Sequence, residues 1–321
     1  MARPRIVIAG ASGVVGHHLV AAARQRFDVT VLTRRVTGTE PNGASPASWQ
    51  PDAARSGDEE ALSRLTSTLE GAAALVNLAG SSLAAGRLGP AHLDRLLTSR
   101  VDSATTLVTA LQRCRRPPEV MVQASATGYY GQRGDDVLDE EAGPDEDFVL
   151  APVASATEAA AEPARQAGLR TVHVRTGVVL AEDASAWQRL LMPIRLGFGG
   201  PLGPGTQWLS WIDADDLARV YLHAIEDHSC DGTYNAVAPE PVRQRDLGRA
   251  AARRLHRPFW FPVPAWALRL ALGRLADGAL LQSARVVPSR LSAQGFTFRW
   301  GTLEGALDKL LPSPGRADGA P

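Results

Sequence analysis

Three glycines open the chemistry of this chain. Gly10, Gly13 and Gly16 fall at a G-x-x-G-x-x-G spacing, directly after the apolar run Ile6-Val7-Ile8 and directly before a helical pattern. A glycine at a strand end permits a tight turn, a second leaves room for phosphate to reach backbone N–H groups, and a third lets helix and strand pack closely. The helix N-terminus then offers oriented donors and partial positive charge to a diphosphate. The strand before and the helix after supply the context that a bare glycine pattern lacks; a glycine turn that binds nothing is the alternative. Ser12, Val14 and Val15 complete the candidate contacts of this turn. At the end of the second strand an NAD site usually carries Asp or Glu for the ribose 2′-hydroxyl. Here the residues are Thr33-Arg34-Arg35. A guanidinium pairs with a 2′-phosphate through two hydrogen bonds, whereas a carboxylate repels it. The expected cofactor is therefore NADP(H), with Thr33 and Arg34 as contacts and Arg35 as a solvated loop residue; solvation of both arginines is the alternative.

A second group of residues can do acid–base work. Tyr129 and Tyr130 follow the end of a strand, where ligands of open α/β sheets bind. Either can act as an acid or position a carbonyl, with Arg133 close in sequence to favour a Tyr129 anion. Packing of both rings is the competing reading. Ser125 can donate to a substrate oxygen, or be satisfied by backbone. Asp213, Asp215 and Asp216 precede an amphipathic helix. Asp215 and Asp216 read as its caps, Asp213 as a pocket residue, and Glu158 as a solvated helix residue. His17 and His18 follow Gly16, with the surface as their expected place; one of them facing the cofactor phosphates is the alternative. The seven histidines show no metal-ligand spacing, so no metal is expected. Cys114 and Cys230 read as small buried hydrophobes. No G-x-S-x-G is present, so there is no nucleophile elbow.

These residues need elements to hold them. Strands are expected at 5–9, Val29–Thr33, Ala73–Leu78, Val120–Ser125 and 170–175. Helices are expected at 13–26, 58–69, Pro90–Arg113, 153–167 and Asp215–Glu226. The stretch from Val36 to Asp58 is polar loop with a short strand near Trp49, and Asp135 to Asp147 is an acidic loop. Strand and helix alternate, the pattern of a doubly wound parallel sheet. After Arg175 the rhythm changes. Residues 197–212 are rich in Gly, Pro and Trp and read as a substrate-side loop region, in which Trp208 and Trp211 offer apolar contact area for a ligand. Trp260 and Trp266 read as core or interface. Short helices are expected at 245–255, 264–275, 283–293 and 302–311. The domain reading is 1–180 for the nucleotide unit, 181–311 for a smaller, mostly helical substrate-side unit with a returning sheet strand near 233–237, and 312–321 for a disordered tail.

The chain has 321 residues, 45% of them hydrophobic, enough for a real core. Lys plus Arg (34) equals Asp plus Glu (34), so no global charge calls for nucleic acid or an acidic membrane. The single lysine is Lys309. No apolar run reaches the ~18 residues of a membrane span, and the N-terminus reads as a strand, not a signal peptide. The expectation is a soluble cytoplasmic protein with a small-molecule substrate, no nucleic acid and no membrane; a homodimer stays open.

The chain resembles the extended branch of the short-chain dehydrogenase/reductases, and more narrowly the epimerase family proteins that end in a small C-terminal domain of unassigned role. Gly10–Gly16, Thr33-Arg34, Val76-Asn-Leu-Ala-Gly80, Ser99-Arg100-Val101, Ser125-Ala-Thr-Gly-Tyr-Tyr-Gly131, Arg175-Thr-Gly-Val-Val-Leu180, Gly199-Gly-Pro-Leu-Gly203 and Gln207-Trp-Leu-Ser-Trp-Ile212 carry the resemblance. It implies a Rossmann-type fold. It also implies that Asn77, Leu78, Ala79 and Gly80 line the nicotinamide-ribose side of the cofactor, with Arg100 among the contacts and Ser125 near the nicotinamide, and that the Gly-Pro-Trp segment walls the substrate pocket through Gly200, Pro201, Trp208 and Trp211. The superfamily's Tyr-x-x-x-Lys pair is missing, because Ala154 and Glu158 stand at those positions. A phenol is a poor base at neutral pH without a nearby cation. Further departures are Ser81 where Glu is common, Thr157-Glu158 where Trp-Glu is expected, and Asp213 where His is expected. The leading reading is an NADP(H)-dependent oxidoreductase or epimerase-like enzyme using Ser125 and Tyr129 or Tyr130. The rivals are a non-catalytic NADP(H)-binding redox sensor or regulator, and a dimeric scaffold.

Overall fold

The apolar run at the N-terminus becomes the centre of a sheet. A computed structural model of the chain describes residues 3–34, 43–83 and 88–312. Seven strands, β1 (Arg5–Ala9), β2 (Asp28–Thr33), β3 (Ser45–Ser48), β4 (Ala74–Asn77), β5 (Val120–Ala126), β6 (Arg170–Thr176) and β7 (Gly232–Ala236), form one sheet in the order β7-β6-β5-β4-β1-β2-β3. Every pairing in it is parallel. Side chains alternate across a strand, so β1 feeds two cores. Ile6 and Ile8 pack on one face with Leu19 and Leu217; Val7 and Ala9 pack on the other with Leu65 and Leu107. Burial on both faces is why this strand reads as an unbroken apolar run.

Five helices flank the sheet: α1 (Val14–Ala23), α2 (Glu59–Leu69), α3 (Pro90–Arg113), α4 (Ala151–Gln166) and α5 (Ala214–Glu226). α1 packs on α5 on one face, and α3 on α2 and α4 on the other. The strand order reverses between β1 and β4, which opens a crevice at the C-terminal strand ends. The short strand expected near Trp49 is β3. Trp49 itself is buried, and its N–H donates to the Thr33 carbonyl at 3.1 Å. The returning strand is β7, parallel to β6.

Beyond Thr176 the chain adds two-stranded pieces and short helices. Val178–Leu180 pairs with Trp211–Asp213, and helices span Ser185–Arg195, Gln244–Arg254, Ala265–Leu272 and Leu303–Leu310. The helix expected over 283–293 is divided. Arg285–Val286 is extended against Val137–Leu138, and only Ser289–Ala293 is helical. Pro288 explains the break, since a residue before proline is driven out of helical geometry. The helix expected over 264–275 stops at Leu272, where Gly273 takes φ 62°. Trp266 is 68% and Trp260 70% exposed, so neither is core. Arg35 and all of the expected tail but Pro312 lie outside the described residues.

Candidate nucleotide-binding and active site

The three glycines meet three different constraints. Gly10 has φ +83°, and a Cβ there would lie 2.6 Å from the Leu78 carbonyl carbon. Only glycine allows β4 to press against this turn. A Cβ on Gly16 would lie 2.5 Å from Ala11 Cα, so the turn and α1 also touch through bare backbone. Gly13 differs: its Cβ would meet only the Gly10 carbonyl oxygen, at 3.7 Å. Gly13 caps α1 without a side-chain bond, and the first turn of α1 holds no acid. The amides there have no partner within the helix. This open, Cβ-free, uncapped helix start fits a diphosphate.

The surroundings agree in kind. Arg34 is exposed at the end of β2, next to half-buried Thr33. Asn77 is fully buried. Its Nδ2 donates to Gln123 Oε1 at 2.8 Å, and its Oδ1 accepts the Ala79 N–H at 3.1 Å. Asn77 thus folds Leu78, Ala79 and Gly80 into a turn against Gly10. Arg100 lies over Gly80, where a Cβ would be 3.1 Å from its Cζ. It donates to the Leu96 carbonyl at 3.1 Å and has no carboxylate partner among the described residues. Burial pulls its pKa down. A guanidinium held beside this turn suits an anionic ligand.

A hydrogen-bonded row crosses the C-terminal ends of three strands. Ser125 of β5, Arg175 of β6 and Asn235 of β7 are register neighbours. Glu158, from α4, joins them. Ser125 Oγ donates to Glu158 Oε1 at 2.6 Å, and Arg175 Nε and Nη2 donate to its two oxygens at 2.8 Å each. Arg175 Nη1 donates to Tyr130 Oη at 3.0 Å, which donates to Asn235 Oδ1 at 2.7 Å. Burial works against the charge of Arg175, but the Glu158 carboxylate and the Tyr130 hydroxyl outweigh it and raise its pKa. Burial pushes the Tyr130 phenol up to about 12 despite Arg175. With no exposed surface, Tyr130 is a strut of the network. Tyr129 is different. Its ring lies 3.4 Å below Arg175 Cζ, and it lines a cleft of about 490 Å³ with Glu158, Glu146, Ser155, Pro144 and Pro152.

Several expectations change here. Glu158 is the hub of the row and not a solvated helix residue. Arg175 is the cation at Tyr129; Arg133 instead donates to the Tyr130, Gly143 and Pro144 carbonyls. Sequence reasoning passed over Arg175, though a charge within the buried run His173-Val174-Arg175 was a signal, since a buried guanidinium demands partners.

The supposed substrate wall is rearranged too. Asp213 is fully buried and is itself the cap of α5, accepting the Asp215 N–H at 2.9 Å. Lys309 binds both its oxygens at 2.8 Å and Asp215 Oδ2 at 2.7 Å. Asp216 instead accepts the Arg299 and Trp300 N–H groups. Asp213 is therefore a buried clasp to the C-terminal helix, no pocket residue. Trp211 is core, its indole donating to the Glu240 carbonyl. Trp208 donates to Asp135 and is flanked by Arg243 and Arg285. Gly200 and Pro201 run beside residues 259–263, and a Cβ on Gly200 would strike the Phe261 backbone. His18 pairs with Asp215 at 2.7 Å instead of lying free on the surface. Among the described residues one potential ligand group, His223, Asp227 and Cys230, gathers at the far end of α5. There Gln294 already bonds His223 and Cys230, and the Arg170 guanidinium binds the Asp227 and Cys230 carbonyls.

Comparison with known proteins gives the following. Residues 6–236 match the NAD dependent epimerase/dehydratase family, and residues 263–310 match a domain of unknown function, DUF1731. The chain is 32% identical to the epimerase family protein YfhF of Bacillus subtilis, over 95% of this chain and 97% of that protein. It is 34% identical to the epimerase family protein MT2273 of Mycobacterium tuberculosis, over 98% and 100% of the two. Human epimerase family protein SDR39U1, solved with NADPH, superposes with a TM-score of 0.83 at 27% identity, covering 96% of this chain and 99% of that one.

Proposed function

The chain belongs to the NAD dependent epimerase/dehydratase family, and from that premise we propose that it is an NADP(H)-dependent oxidoreductase or epimerase-like enzyme acting on a small carbonyl or hydroxyl compound. The observation that carries the proposal is the row Ser125–Glu158–Arg175, which meets a cleft walled by Tyr129. When bound, the nicotinamide accepts or supplies hydride. The helix start at Gly13, Val14 and Val15 would hold the diphosphate, and Arg34 the 2′-phosphate. The turn Leu78–Gly80 and Arg100 would line the rest. The NADPH found with the human relative supports the phosphorylated form.

The chain's own residues then handle the proton. A substrate hydroxyl gives its proton to Ser125 Oγ as Ser125 passes its own to Glu158 Oε1; the reverse transfer protonates a carbonyl oxygen. Glu158 thereby does the work that the missing Tyr-Lys pair does elsewhere in the superfamily. Arg175 positions Glu158, and Tyr129 bounds the cleft. The test is NADPH oxidation across a panel of small carbonyl compounds, run beside NADPH affinity. Turnover that Ser125→Ala and Glu158→Gln abolish, with affinity kept, supports the proposal. One observation favours the sensor reading: Ala154 and Glu158 replace the Tyr-Lys pair. Tight NADPH binding with no turnover on any compound would select that reading.

A further inference from the structure

The charges of the chain cancel overall but not locally. Between residues 243 and 274 there are eight arginines and one aspartate; Arg243, Arg245, Arg249, Arg254 and Arg269 are paired with Asp135, Asp246, Asp308 and Asp277, which leaves Arg253, Arg257 and Arg274 as the local excess. The same stretch leaves large apolar side chains in solvent: Trp260 is 70%, Trp266 68% and Leu270 71% exposed. Phe198 joins them, its ring 5.7 Å from that of Phe261, which is 5.9 Å from Trp260. The backbone explains the display. Bridges at Gly199–Phe259 and Leu202–Val263 lay the two segments side by side, and the Trp260 and Phe261 N–H groups both donate to the Gly199 carbonyl. The backbone is satisfied while the rings remain outside. Pro258, Pro262 and Pro264 stiffen the link to the helix that carries Trp266 and Leu270 one turn apart. The two tryptophans alone present roughly 300 Å², as much as the largest apolar patch on many monomers; larger patches mark interaction sites.

The occupant is chosen by charge. Arg195, Arg253, Arg257 and Arg274 are exposed in the segments that bear these side chains, and none has an ion pair among the described residues. A second copy meeting this face through a two-fold axis would set arginine against arginine. An anionic partner with an apolar layer directly beneath its charges satisfies both features. We propose that this face docks the protein on the surface of an anionic phospholipid bilayer. Tryptophan and phenylalanine enter the headgroup level while the guanidinium groups meet lipid phosphates. The contact is peripheral, because no described helix is long and apolar enough to cross a membrane. Net charge and span length, the grounds for expecting no membrane, do not register a local patch.

The test is co-sedimentation of the full chain with vesicles of phosphatidylcholine alone and of phosphatidylcholine mixed with phosphatidylglycerol. Binding is expected only to the mixed vesicles and is expected to fall with added salt. Trp260→Ala/Trp266→Ala is expected to weaken binding about tenfold or more, with an unchanged melting temperature because both side chains are exposed. Arg257→Gln/Arg274→Gln is expected to reduce the salt dependence. Absence of binding to the mixed vesicles, or equal binding to both compositions, overturns the proposal. So does a wild-type dimer in sedimentation equilibrium that Trp260→Ala/Trp266→Ala dissolves.

Discussion

Glu158→Gln separates the hub role of this side chain from a peripheral one. The Glu158 and Arg175 side chains are 13% and 5% exposed, and their ion pair has two contacts at 2.8 Å. Removing one partner of a buried pair costs about 3–5 kcal/mol. Glutamine keeps the shape and one acceptor, but its amide nitrogen must face a guanidinium or hydroxyl donor. The lower end, about 3 kcal/mol, is therefore expected. Unfolding entropy near 2.1 cal/mol/K per residue turns this into a fall of roughly 4–5 °C in melting temperature for a chain of 321 residues. Arg175→Met is expected to cost a similar amount, since it leaves the carboxylate buried. In the double variant the two losses overlap, and the cycle is expected to show about 2 kcal/mol of coupling. Urea denaturation at neutral pH gives all four stabilities. Turnover by Glu158→Gln is expected to fall at least about a hundredfold if the carboxylate takes the proton. A stability change under about 0.5 kcal/mol, or strictly additive singles, would refute the coupled pair and the proton path built on it.

Four further outcomes follow from the structure. Arg34→Asp is expected to weaken NADPH binding in calorimetry without weakening NADH binding; equal loss for both would remove Arg34 from the 2′-phosphate. Gly10→Ala is expected to lower the melting temperature by several degrees, because its Cβ meets the Leu78 backbone at 2.6 Å. Gly13→Ala, with open space beside it, is expected to melt normally yet bind dinucleotide poorly, and normal binding by it would displace the diphosphate from this turn. The hydrogen bond from His18 to Asp215, against the opposing effect of burial, raises the imidazole pKa above 6.5. A raised folded pKa means that His18 stabilises the protein fully below its unfolded pKa, and that this contribution fades as pH rises through the folded value. His18→Gln is expected to flatten that part of the stability–pH curve; an unchanged slope would mean the pair adds nothing.

Much of the nucleotide half was legible because its determinants are local. The run Ile6-Val7-Ile8, the glycine spacing and the apolar periodicity of the helices each act within a dozen residues, and the strands and helices follow from them. Within 283–293 two local signals compete: helical periodicity runs through the segment, while Pro288 drives Val287 out of helical geometry and divides it.

The hydrogen-bonded row at the strand ends is another matter. Ser125, Tyr130, Glu158, Arg175 and Asn235 come from five segments, and the Tyr130–Asn235 bond joins residues 105 apart. Lys309 reaches Asp213 across 96 residues. Nothing in the local pattern of Glu158 separates a solvated glutamate from a buried one, and nothing near Asp213 tells of a lysine at the far end of the chain. Parallel strands aligned their C-terminal ends, and that alignment gathered charges which the interior tolerates only in pairs. Propensity and periodicity settled which segments are strands and helices, while burial in three dimensions chose which of their polar side chains face each other.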